Sequence, residues 1–468
     1  MNKYTRRKFL ELGCRTIIGA GLAGGSIARI AQAQVSGNDY RSLVCIHLNG
    51  GNDGFNMLVP GAGAAYSEYA KGRGHLAVPS NDLLTLNPAT ANTTKVGLNP
   101  YMAAIKPLFE SGQLAFQSNV GTLFEPGSAE DVRNKSIRLP EQLFSHNDQT
   151  RQWQKLNHTH QHNSGWGARA ADLINKNQIN PNLAAISLNG SNDWQAGGKF
   201  SAFNIKPDGV RNYDGMDDHE SEWQMPRREA FVQLLHAQYN NVFEKAYAEL
   251  QTRALILSTN VGAALAKRGE LQTPVPPDNP LANQLAMVAK LISIKDEFQL
   301  YRQLFYVELG GFDTHDYQLE KQPALYTNIA TALDFFNQAL VEIGQQENVV
   351  SFTTSDFGRS VTSNGDGTDH GWGNHHIVMG SPVLGGDIYG SIPRILVDGP
   401  DDSRNGRIVP TTAVCQYAAT TLNWLGLEEA EVDRLLPTLK NFNQRNLGFL
   451  ACFNLTTTWI YLCRASDL

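Results

Sequence analysis

One glycine-rich stretch of the chain concentrates side chains that can bind cations. It covers residues 355–376 and reads SDFGRSVTSNGDGTDHGWGNHH. Its candidate ligands are Asp356, His370, His375 and His376. Carboxylates and imidazoles are the usual protein ligands of zinc, and carboxylate oxygens also bind calcium and magnesium. Two interpretations are open at this point: a solvated polar loop, or part of a metal site whose other ligands lie elsewhere.

Three short apolar runs, each rich in strand-forming residues, come directly before clusters of polar residues. The runs cover residues 42–48, 304–309 and 349–355. The first is followed by Asp53, the second by Asp313 and His315, and the third by Asp356. Because ligands bind beyond the carboxyl ends of strands in parallel sheets, the three clusters predict one shared site. Taken singly, each residue has an ordinary alternative role in capping a turn or a helix.

The segments between these runs carry helix signals. Asn99 and Pro100 predict a helix start, and Gly112 predicts its end before a strand. A second helix is indicated by apolar residues spaced three or four apart: Leu325, Ile329, Leu333, Phe336, Leu340 and Ile343. This alternation predicts an α/β fold, a three-layer α/β/α sandwich whose mostly parallel sheet is covered on both faces. Residues 180–300 are helical in pattern, and we expect a helical insertion there.

The first 33 residues differ in character from the rest of the chain. Arg6 and Arg7 form a twin-arginine pair before a weakly apolar, glycine-rich run, which ends at the small-residue sequence Ala31-Gln32-Ala33. This order predicts a Tat export signal over residues 1–33, the Tat export machinery as a partner, and a periplasmic or extracellular location. A short membrane helix is the alternative. No other segment has the ~20 apolar residues that span a membrane, so we expect no stable membrane span.

Composition and charge narrow the class of protein. The 468 residues are 41% hydrophobic and 18% charged, as in ordinary globular proteins. The formal charge of −6 would become −11 after loss of residues 1–33, which carry six basic residues and one acidic residue. Such an acidic chain without a basic tract argues against nucleic acid as a partner. The four cysteines after residue 33 have no zinc-knuckle spacing, and a disulfide between Cys452 and Cys463 stays open.

The motifs together resemble those of known families. LVCIHLNGGNDGFN, QENVVSFTTSDFGRS and the histidine-rich loop resemble the alkaline phosphatase superfamily, which includes sulfatases and cofactor-independent phosphoglycerate mutases. More narrowly, the twin-arginine start together with GGND, GGFDTH, SDFGR and DHGWGNHH resembles the bacterial exported family of domain of unknown function 1501. The resemblance implies an alkaline phosphatase-like α/β domain over residues 40–450, followed by an atypical extension at 451–468.

The resemblance implies that Asp53, after the first strand, and Asp356, after the third, both bind metal. Asp53 matches the metal-binding aspartate after the first strand of the superfamily. Asp356 matches the aspartate of the late Ser-Asp-His-Gly motif. Phe357 is the clearest departure, because it stands where the superfamily has a metal-binding histidine. A site with two metal ions is therefore in doubt for this chain.

Further ligands follow from the same resemblance. Asp313 and His315 resemble the ligands of another metal position, although they are separated by two residues where the superfamily has four. His370 matches the last histidine ligand, and His375 and His376 are the alternatives to it. The cofactor expected from these ligands is a divalent metal: zinc, calcium or magnesium.

The resemblance also implies a nucleophile at the start of a helix after the second strand. Ser145 holds that position in FSHNDQTRQWQ, where a helix N-terminus and a nearby cation would stabilise its alkoxide. The alternative is that Ser145 only caps the helix. Arg151 and Arg359 are candidates to hold an anionic oxygen; a solvated helix position for Arg151 and a salt bridge for Arg359 are the alternatives. The pattern that licenses formylglycine is absent around Ser145.

Two functions follow as expectations. The first is an exported metal-dependent hydrolase of phosphate or sulfate esters, with Ser145 as nucleophile and a small anionic ester as substrate. The second is a non-catalytic protein of the same fold that binds a glycan or a partner protein. The Phe357 departure motivates this alternative.

Overall fold

The computed structural model describes residues 39–90, 95–156, 163–175, 180–210 and 225–451. Its strands, in chain order, are β1 (Arg41–Leu48), β2 (Leu58–Pro60), β3 (Leu84–Thr85), β4 (Val96–Leu98), β5 (Leu114–Gly121), β6 (Ala185–Ser187), β7 (Phe203–Asn204), β8 (Arg302–Leu309), β9 (Val349–Ser355), β10 (Arg359–Ser363), β11 (Thr368–His370), β12 (Asn374–Met379), β13 (Ile388–Tyr389) and β14 (Thr412–Ala413).

Most of these strands form one large sheet. Within the described residues it has nine strands in the order β13-β5-β12-β9-β1-β8-β6-β7, with β14 also paired to β5. The central strand β1 runs parallel to both β8 and β9, and β12 is antiparallel to its two neighbours. A short antiparallel hairpin, β10–β11, and a three-stranded sheet, β2-β4-β3, lie outside it. The sheet is therefore mostly parallel, as the alternation of strands and helices predicts.

Helices cover this sheet on both faces. They are α1 (Gly54–Met57), α2 (Gly63–Arg73), α3 (Lys106–Glu110), α4 (Ala129–Asn134), α5 (His146–Lys155), α6 (Trp166–Ile174), α7 (Met225–Leu235), α8 (Val242–Arg268), α9 (Pro280–Ser293), α10 (Gln318–Glu342), α11 (Val414–Leu425) and α12 (Glu429–Leu435).

The alternation of side chains along β1 shows the three layers directly. Val44 and Ile46 belong to an apolar core that includes residues of α9 and α10, whereas Leu43 and Cys45 belong to a second core that includes residues of α6, α11 and α12. Successive side chains of a strand point to opposite faces, so the two cores lie on opposite faces of the sheet. The predicted three-layer α/β/α sandwich is confirmed.

The predicted strands are confirmed with small shifts at their starts.

The helix predicted to begin at Asn99 and Pro100 is divided in two. Asn99 caps the start of this segment, since the amide N–H of Tyr101 donates to Asn99 Oδ1 at 3.1 Å. A 3-10 turn, Pro100–Ile105, then precedes α3. Pro107 explains the division, because it has no N–H with which to continue an α-helical ladder.

The region 180–300 is less uniformly helical than its pattern suggests. It contains α7, α8 and α9, but β6 and β7 extend the main sheet beyond β8. Strands of two or three residues contain too few alternating positions to produce a recognisable period.

Several predictions lie outside the described residues. They are the export signal at 1–33, the Cys452–Cys463 disulfide and the extension after residue 451. A boundary after Asp39 divides the chain into two units, and the description above concerns the unit that begins at Tyr40. In the ranges that the structure describes, no helix is both long and apolar enough to cross a membrane. Cys45 and Cys415 are buried free thiols.

Candidate metal centre

The loops after β1, β8 and β9 begin at the same edge of the sheet. In the parallel register, Leu48 of β1 pairs with Leu309 of β8 on one side and Ser355 of β9 on the other. The Ser355 hydroxyl donates to the Leu48 carbonyl oxygen at 2.6 Å and accepts the Asn52 amide at 2.8 Å, which ties two of the loops together. The predicted convergence of the three strand ends is confirmed.

A compact group of nitrogen and oxygen donors lies at this edge. His146, Asp313 and His370 each place one ligand atom within 4.8 Å of the other two. His146 Nε2 lies 3.0 Å from His370 Nε2, and Asp313 Oδ1 lies 3.4 Å from the first of these nitrogens and 3.5 Å from the second. His146 begins α5, Asp313 follows β8, and His370 ends β11, so three separate elements hold the group.

His315 extends this group on one side. Its Nε2 lies 2.8 Å from His370 Nε2 and 3.1 Å from Asp313 Oδ1. The separation of two residues between Asp313 and His315 therefore brings both side chains to the same place. We call His146, Asp313, His315 and His370 the metal centre.

Acceptors on the outer side of each ring determine where its proton lies. His370 Nδ1 is 2.6 Å from the carbonyl oxygen of Phe144, His146 Nδ1 is 2.7 Å from Asp356 Oδ2, and His315 Nδ1 is 3.3 Å from Asp369 Oδ1. A carbonyl or carboxylate oxygen only accepts, so Nδ1 of a neutral ring carries the proton and Nε2 keeps its lone pair. In the neutral form of each ring, the Nε2 lone pair therefore faces the metal centre.

This donor set fits a divalent cation. With Nδ1 protonated, the Nε2 lone pairs at 2.8 and 3.0 Å repel one another unless a proton or a metal ion lies among them. Imidazole nitrogens with a carboxylate oxygen are ligands that zinc prefers, and an outer acceptor on each Nδ1 is the usual support of a metal-binding histidine. The ligands are nitrogen-rich, which favours zinc over calcium or magnesium, because the latter two take mainly oxygen ligands.

Asp356 supports the centre from behind. Besides His146, its carboxylate accepts the Gly50 amide at 3.2 Å and lies 3.4 Å from His47 Nε2. Burial raises the pKa of Asp356, but the hydrogen bond from His146 and the contact with His47 outweigh it and hold the pKa well below its usual range. The same hydrogen bond raises the pKa of His146. Asp356 thus orients His146 from behind the donor group, where the resemblance implies that Asp356 is itself a ligand.

Arg359 holds the carboxylate of the centre. Its guanidinium lies 2.8 Å from Asp313 Oδ1 and is fully buried. Burial raises the pKa of Asp313, yet the hydrogen bond and the charge of Arg359 lower it overall. Arg359 therefore makes a salt bridge to a loop carboxylate, which is the alternative raised for it above.

Phe357 lies against the imidazoles of the centre. Its ring centroid is 4.8 Å from that of His146 and 4.7 Å from that of His370. An apolar ring therefore occupies space beside the centre where a histidine would offer a further ligand. The donor set that remains suits one ion.

Asp53 lies in a different environment from the metal centre. Its carboxylate forms a buried ion pair with Arg73 and accepts the Gln318 amide at 2.8 Å. The Asp53 carbonyl oxygen accepts the Tyr326 hydroxyl. Both carboxylate oxygens are thus occupied by protein donors. The structure does not bring Asp53 together with the other predicted ligands.

His375 and its neighbour are also separate from the centre. His375 is fully buried, and its Nδ1 accepts the amide of Asn119 at 3.2 Å. Its ring meets Phe55 edge to face, with 5.0 Å between ring centroids. His376 packs between Trp153 and Tyr417. Burial lowers the pKa of each histidine to about 3, so both are neutral core residues.

The two predicted catalytic residues lie on or next to α5. Ser145 occupies the N-cap position, but its hydroxyl donates to Asp148 Oδ2 at 2.7 Å and makes no side-chain bond to the backbone of the helix. Ser145 stands between Phe144 and His146, which both contact the centre. The Arg151 side chain is 59% exposed, and its Nε lies 3.8 Å from Asp193 Oδ2. Arg151 therefore forms a surface ion pair with Asp193.

Sequence reasoning missed His146 as a candidate ligand. The signal that could have found it is its place directly after Ser145, at the first position of a helix that was expected to face the site. His47 was missed as well, because it lies inside an apolar strand where a core role is the usual explanation.

Comparisons with solved structures find matches at low identity and low TM-score. The PsFucS1 sulfatase from Pseudoalteromonas sp. is 11% identical, with 84% of this chain and 68% of that chain covered and a TM-score of 0.32. The lipoteichoic acid synthase LtaP from Listeria monocytogenes is 8% identical, with 83% and 72% covered and a TM-score of 0.32. Ps i-CgsB, solved in complex with k-i-k-neocarrahexaose, is 13% identical, with 87% and 77% covered and a TM-score of 0.36.

A comparison with curated proteins finds no match. A family model, by contrast, matches residues 40–408, which are most of the chain and include every residue of the metal centre. The family predicted from the motifs GGND, GGFDTH, SDFGR and DHGWGNHH is thereby confirmed. The chain belongs to the family described as protein of unknown function, DUF1501.

Proposed function

We propose that this protein is a metal-dependent hydrolase of phosphate or sulfate esters. One observation carries the proposal: three imidazole Nε2 atoms and the Asp313 carboxylate converge, while an acceptor holds Nδ1 of each ring. His146, Asp313 and His370 would hold a divalent cation, with His315 beside them, and zinc fits these donors best. When bound, the cation would polarise the ester oxygen and offset negative charge in the transition state.

Ser145 is the nucleophile in this proposal. It precedes the ligand His146, and its hydroxyl already donates to the Asp148 carboxylate at 2.7 Å. Asp148 is therefore placed to accept the proton as Ser145 Oγ attacks phosphorus or sulfur. The bond from phosphorus or sulfur to the ester oxygen breaks, and the leaving alkoxide takes the proton that Asp148 received from Ser145, which restores the Asp148 carboxylate. Water then attacks the seryl ester, which releases the inorganic anion and restores the hydroxyl.

The test measures zinc content and the rate of ester hydrolysis in the wild type and in a variant without the Ser145 hydroxyl. Purified protein is expected to contain about one zinc per chain and to hydrolyse an aryl phosphate or an aryl sulfate. Ser145→Ala should keep the zinc and lose at least 100-fold in kcat, since removal of a nucleophile has a large effect. Ser67→Ala, at an exposed hydroxyl on α2, is the matched control and should behave as the wild type. Protein free of metal after folding in zinc-rich medium would contradict the proposal.

A second candidate is a non-catalytic protein that keeps one structural metal and binds a glycan or a partner protein. The packing of Phe357 over His146 and His370 favours it, because this ring leaves fewer donors than a two-metal hydrolase uses. Zinc at one per chain together with equal, slow turnover in wild type and Ser145→Ala would support this candidate over the hydrolase.

Export by the Tat pathway is a further part of the proposal. The pair Arg6–Arg7 before a weakly apolar run supports it. Replacement of both arginines by lysine in the full chain is expected to keep the protein inside the cytoplasm. Measured in cell fractions, equal export of the variant and the wild type would refute this part.

A further inference from the structure

A polar cleft opens beside the metal centre. Its volume is about 340 Å³, which is in the range of sites for small molecules. Residues of the β1 and β8 ends, of α5 and of the segment after β6 line it. Those used below are His47, Asn49, Thr150, Gln154, Asp193 and Glu308.

Two links connect this cleft to the metal centre. The first is α5, where Thr150 and Gln154 lie four and eight residues after the ligand His146 and thus on the same side of the helix. Thr150 is about 6 Å from His146 along the helix axis. The second link is His47, which lines the cleft and lies 3.4 Å from Asp356, the residue that holds His146. The cleft and the centre are therefore neighbours that share α5 and the contacts from His47 through Asp356 to His146.

Glu308 gives the cleft an uncompensated negative charge. Asn49 Nδ2 donates to its Oε1 at 2.9 Å and the Tyr306 hydroxyl donates to its Oε2 at 2.8 Å, both from neutral groups. In the described part of the chain, no Lys, Arg or His forms an ion pair with Glu308. Each carboxylate oxygen can accept further hydrogen bonds, so Glu308 can bind one more donor.

The other carboxylate of the cleft differs from Glu308 in this respect. Asp193 lies 3.1 Å from Lys155 Nζ and 3.8 Å from Arg151 Nε. Its charge is thus compensated by the protein. Among the residues that line the cleft, the amides and hydroxyls are neutral, and Lys and Arg are absent from the described lining. The cleft is therefore suited to a cation and unsuited to a second anionic group.

We propose that this cleft binds an ammonium group on the alcohol part of the ester substrate, with Glu308 as its counter-ion. The inference rests on the proposed function and narrows it to esters of amino alcohols. The anionic end of such a molecule would lie at the metal centre and its cationic end in the cleft. Charge-assisted hydrogen bonds from an ammonium to a carboxylate are stronger than neutral ones, which provides discrimination against an uncharged alcohol.

The experiment compares esters that differ only in this group. The zinc-loaded full chain is assayed on 2-aminoethyl phosphate against 2-hydroxyethyl phosphate, and on 4-aminobutyl phosphate against 4-hydroxybutyl phosphate, and likewise on the four sulfates. We expect kcat/KM to favour an amino ester by about tenfold in at least one pair. Glu308→Gln should reduce that ratio to about one. Glu347→Gln removes the same charge at the opposite end of β9 and should keep the preference.

The outcomes separate this inference from the proposed function. Hydrolysis of these esters with equal kcat/KM within every pair would overturn the inference and leave the hydrolase standing. Without any hydrolysis, the hydrolase fails, and calorimetric titration of the same ligands into the zinc-loaded wild type decides the inference: tighter binding of an amino ester supports it, and equal binding overturns it. This comparison uses the wild type alone, so it stands even where Glu308→Gln does not fold.

Discussion

Asp53 and Asp313 occupy similar positions after strands of the main sheet, but their carboxylates have different partners. Both follow a parallel strand at the same edge of the sheet, in glycine-rich loops. Asp53 meets Arg73 and Gln318 and is buried, whereas the Asp313 side chain is 46% exposed and meets three imidazoles besides Arg359. The first carboxylate is neutralised by donors within the protein. The second faces three imidazole Nε2 atoms, and together with them it can hold a cation.

The difference shows that the role of a carboxylate at a strand end depends on its hydrogen-bond and ion-pair partners. Arg73 comes from α2 and Gln318 from α10, and both fill the positions around Asp53 with N–H groups. Around Asp313, Arg359 supplies N–H groups on one side, while His146, His315 and His370 present their Nε2 atoms on the other. One aspartate is therefore structural and the other is a candidate ligand.

The largest expected effect concerns Asp53, the structural aspartate of the pair. Asp53→Asn leaves the buried guanidinium of Arg73 without a counter-ion, and we expect a loss of about 3–5 kcal/mol in the free energy of unfolding. Zinc content should not change. Chemical denaturation and elemental measurement of the folded protein check both parts. Glu68→Gln, which removes the partner of Arg394 in an exposed ion pair, is the control and should cost less than about 1 kcal/mol. Loss of zinc in Asp53→Asn with unchanged stability would reverse the comparison.

The second prediction concerns the ligand side. His370→Ala removes the imidazole that touches both His146 and His315, and zinc affinity should fall by at least about 100-fold, since loss of a ligand exceeds the 10- to 100-fold effect of its outer partners. Competition with a chromophoric chelator measures the affinity. His75→Ala, at an exposed histidine, should bind zinc as the wild type does. Unchanged affinity in His370→Ala would exclude the metal centre as defined.

The smallest effect sharpens the role of the outer acceptors. Asp369→Asn weakens the partner of His315 Nδ1, a carboxylate that is 56% exposed and 3.3 Å away. Water competes at such a position, so we expect zinc affinity to fall by about tenfold or less. The same chelator competition measures it. A decrease equal to that of His370→Ala would mean that His315 is a principal ligand and that Asp369 controls its orientation.

Much of the fold could be predicted because its signals are local. The buried strands β1, β8 and β9 are continuous apolar runs, and α10 carries an apolar stripe, so their types and approximate ends follow from side-chain pattern alone. The meeting of their polar ends also follows, because the carboxyl ends of parallel strands lie at the same edge of the sheet. The short strands β6 and β7 lack such a pattern, and only their pairing with the rest of the sheet identifies them as strands.

The site could be predicted only in part. Asp313, His315 and His370 were identified as candidate ligands, and Ser145 was identified at its helix start. His146 was missed, and Asp356 contacts this candidate ligand from behind instead of joining the donor group. Motif position specifies which loop carries a carboxylate but not which of its neighbours is a donor or an acceptor.

The sequence by itself determined the layers of the fold, the edge of the sheet that carries the polar loops, and the family. Local periodicity and short motifs are enough for these, since each is encoded within a few consecutive residues. The tertiary structure decided which charges are paired within the protein and which are left for a ligand. Asp53 and Arg73 are 20 residues apart, whereas His146 and His370 are 224 residues apart. Hydrogen-bond direction at such contacts depends on atoms that only the folded chain brings together.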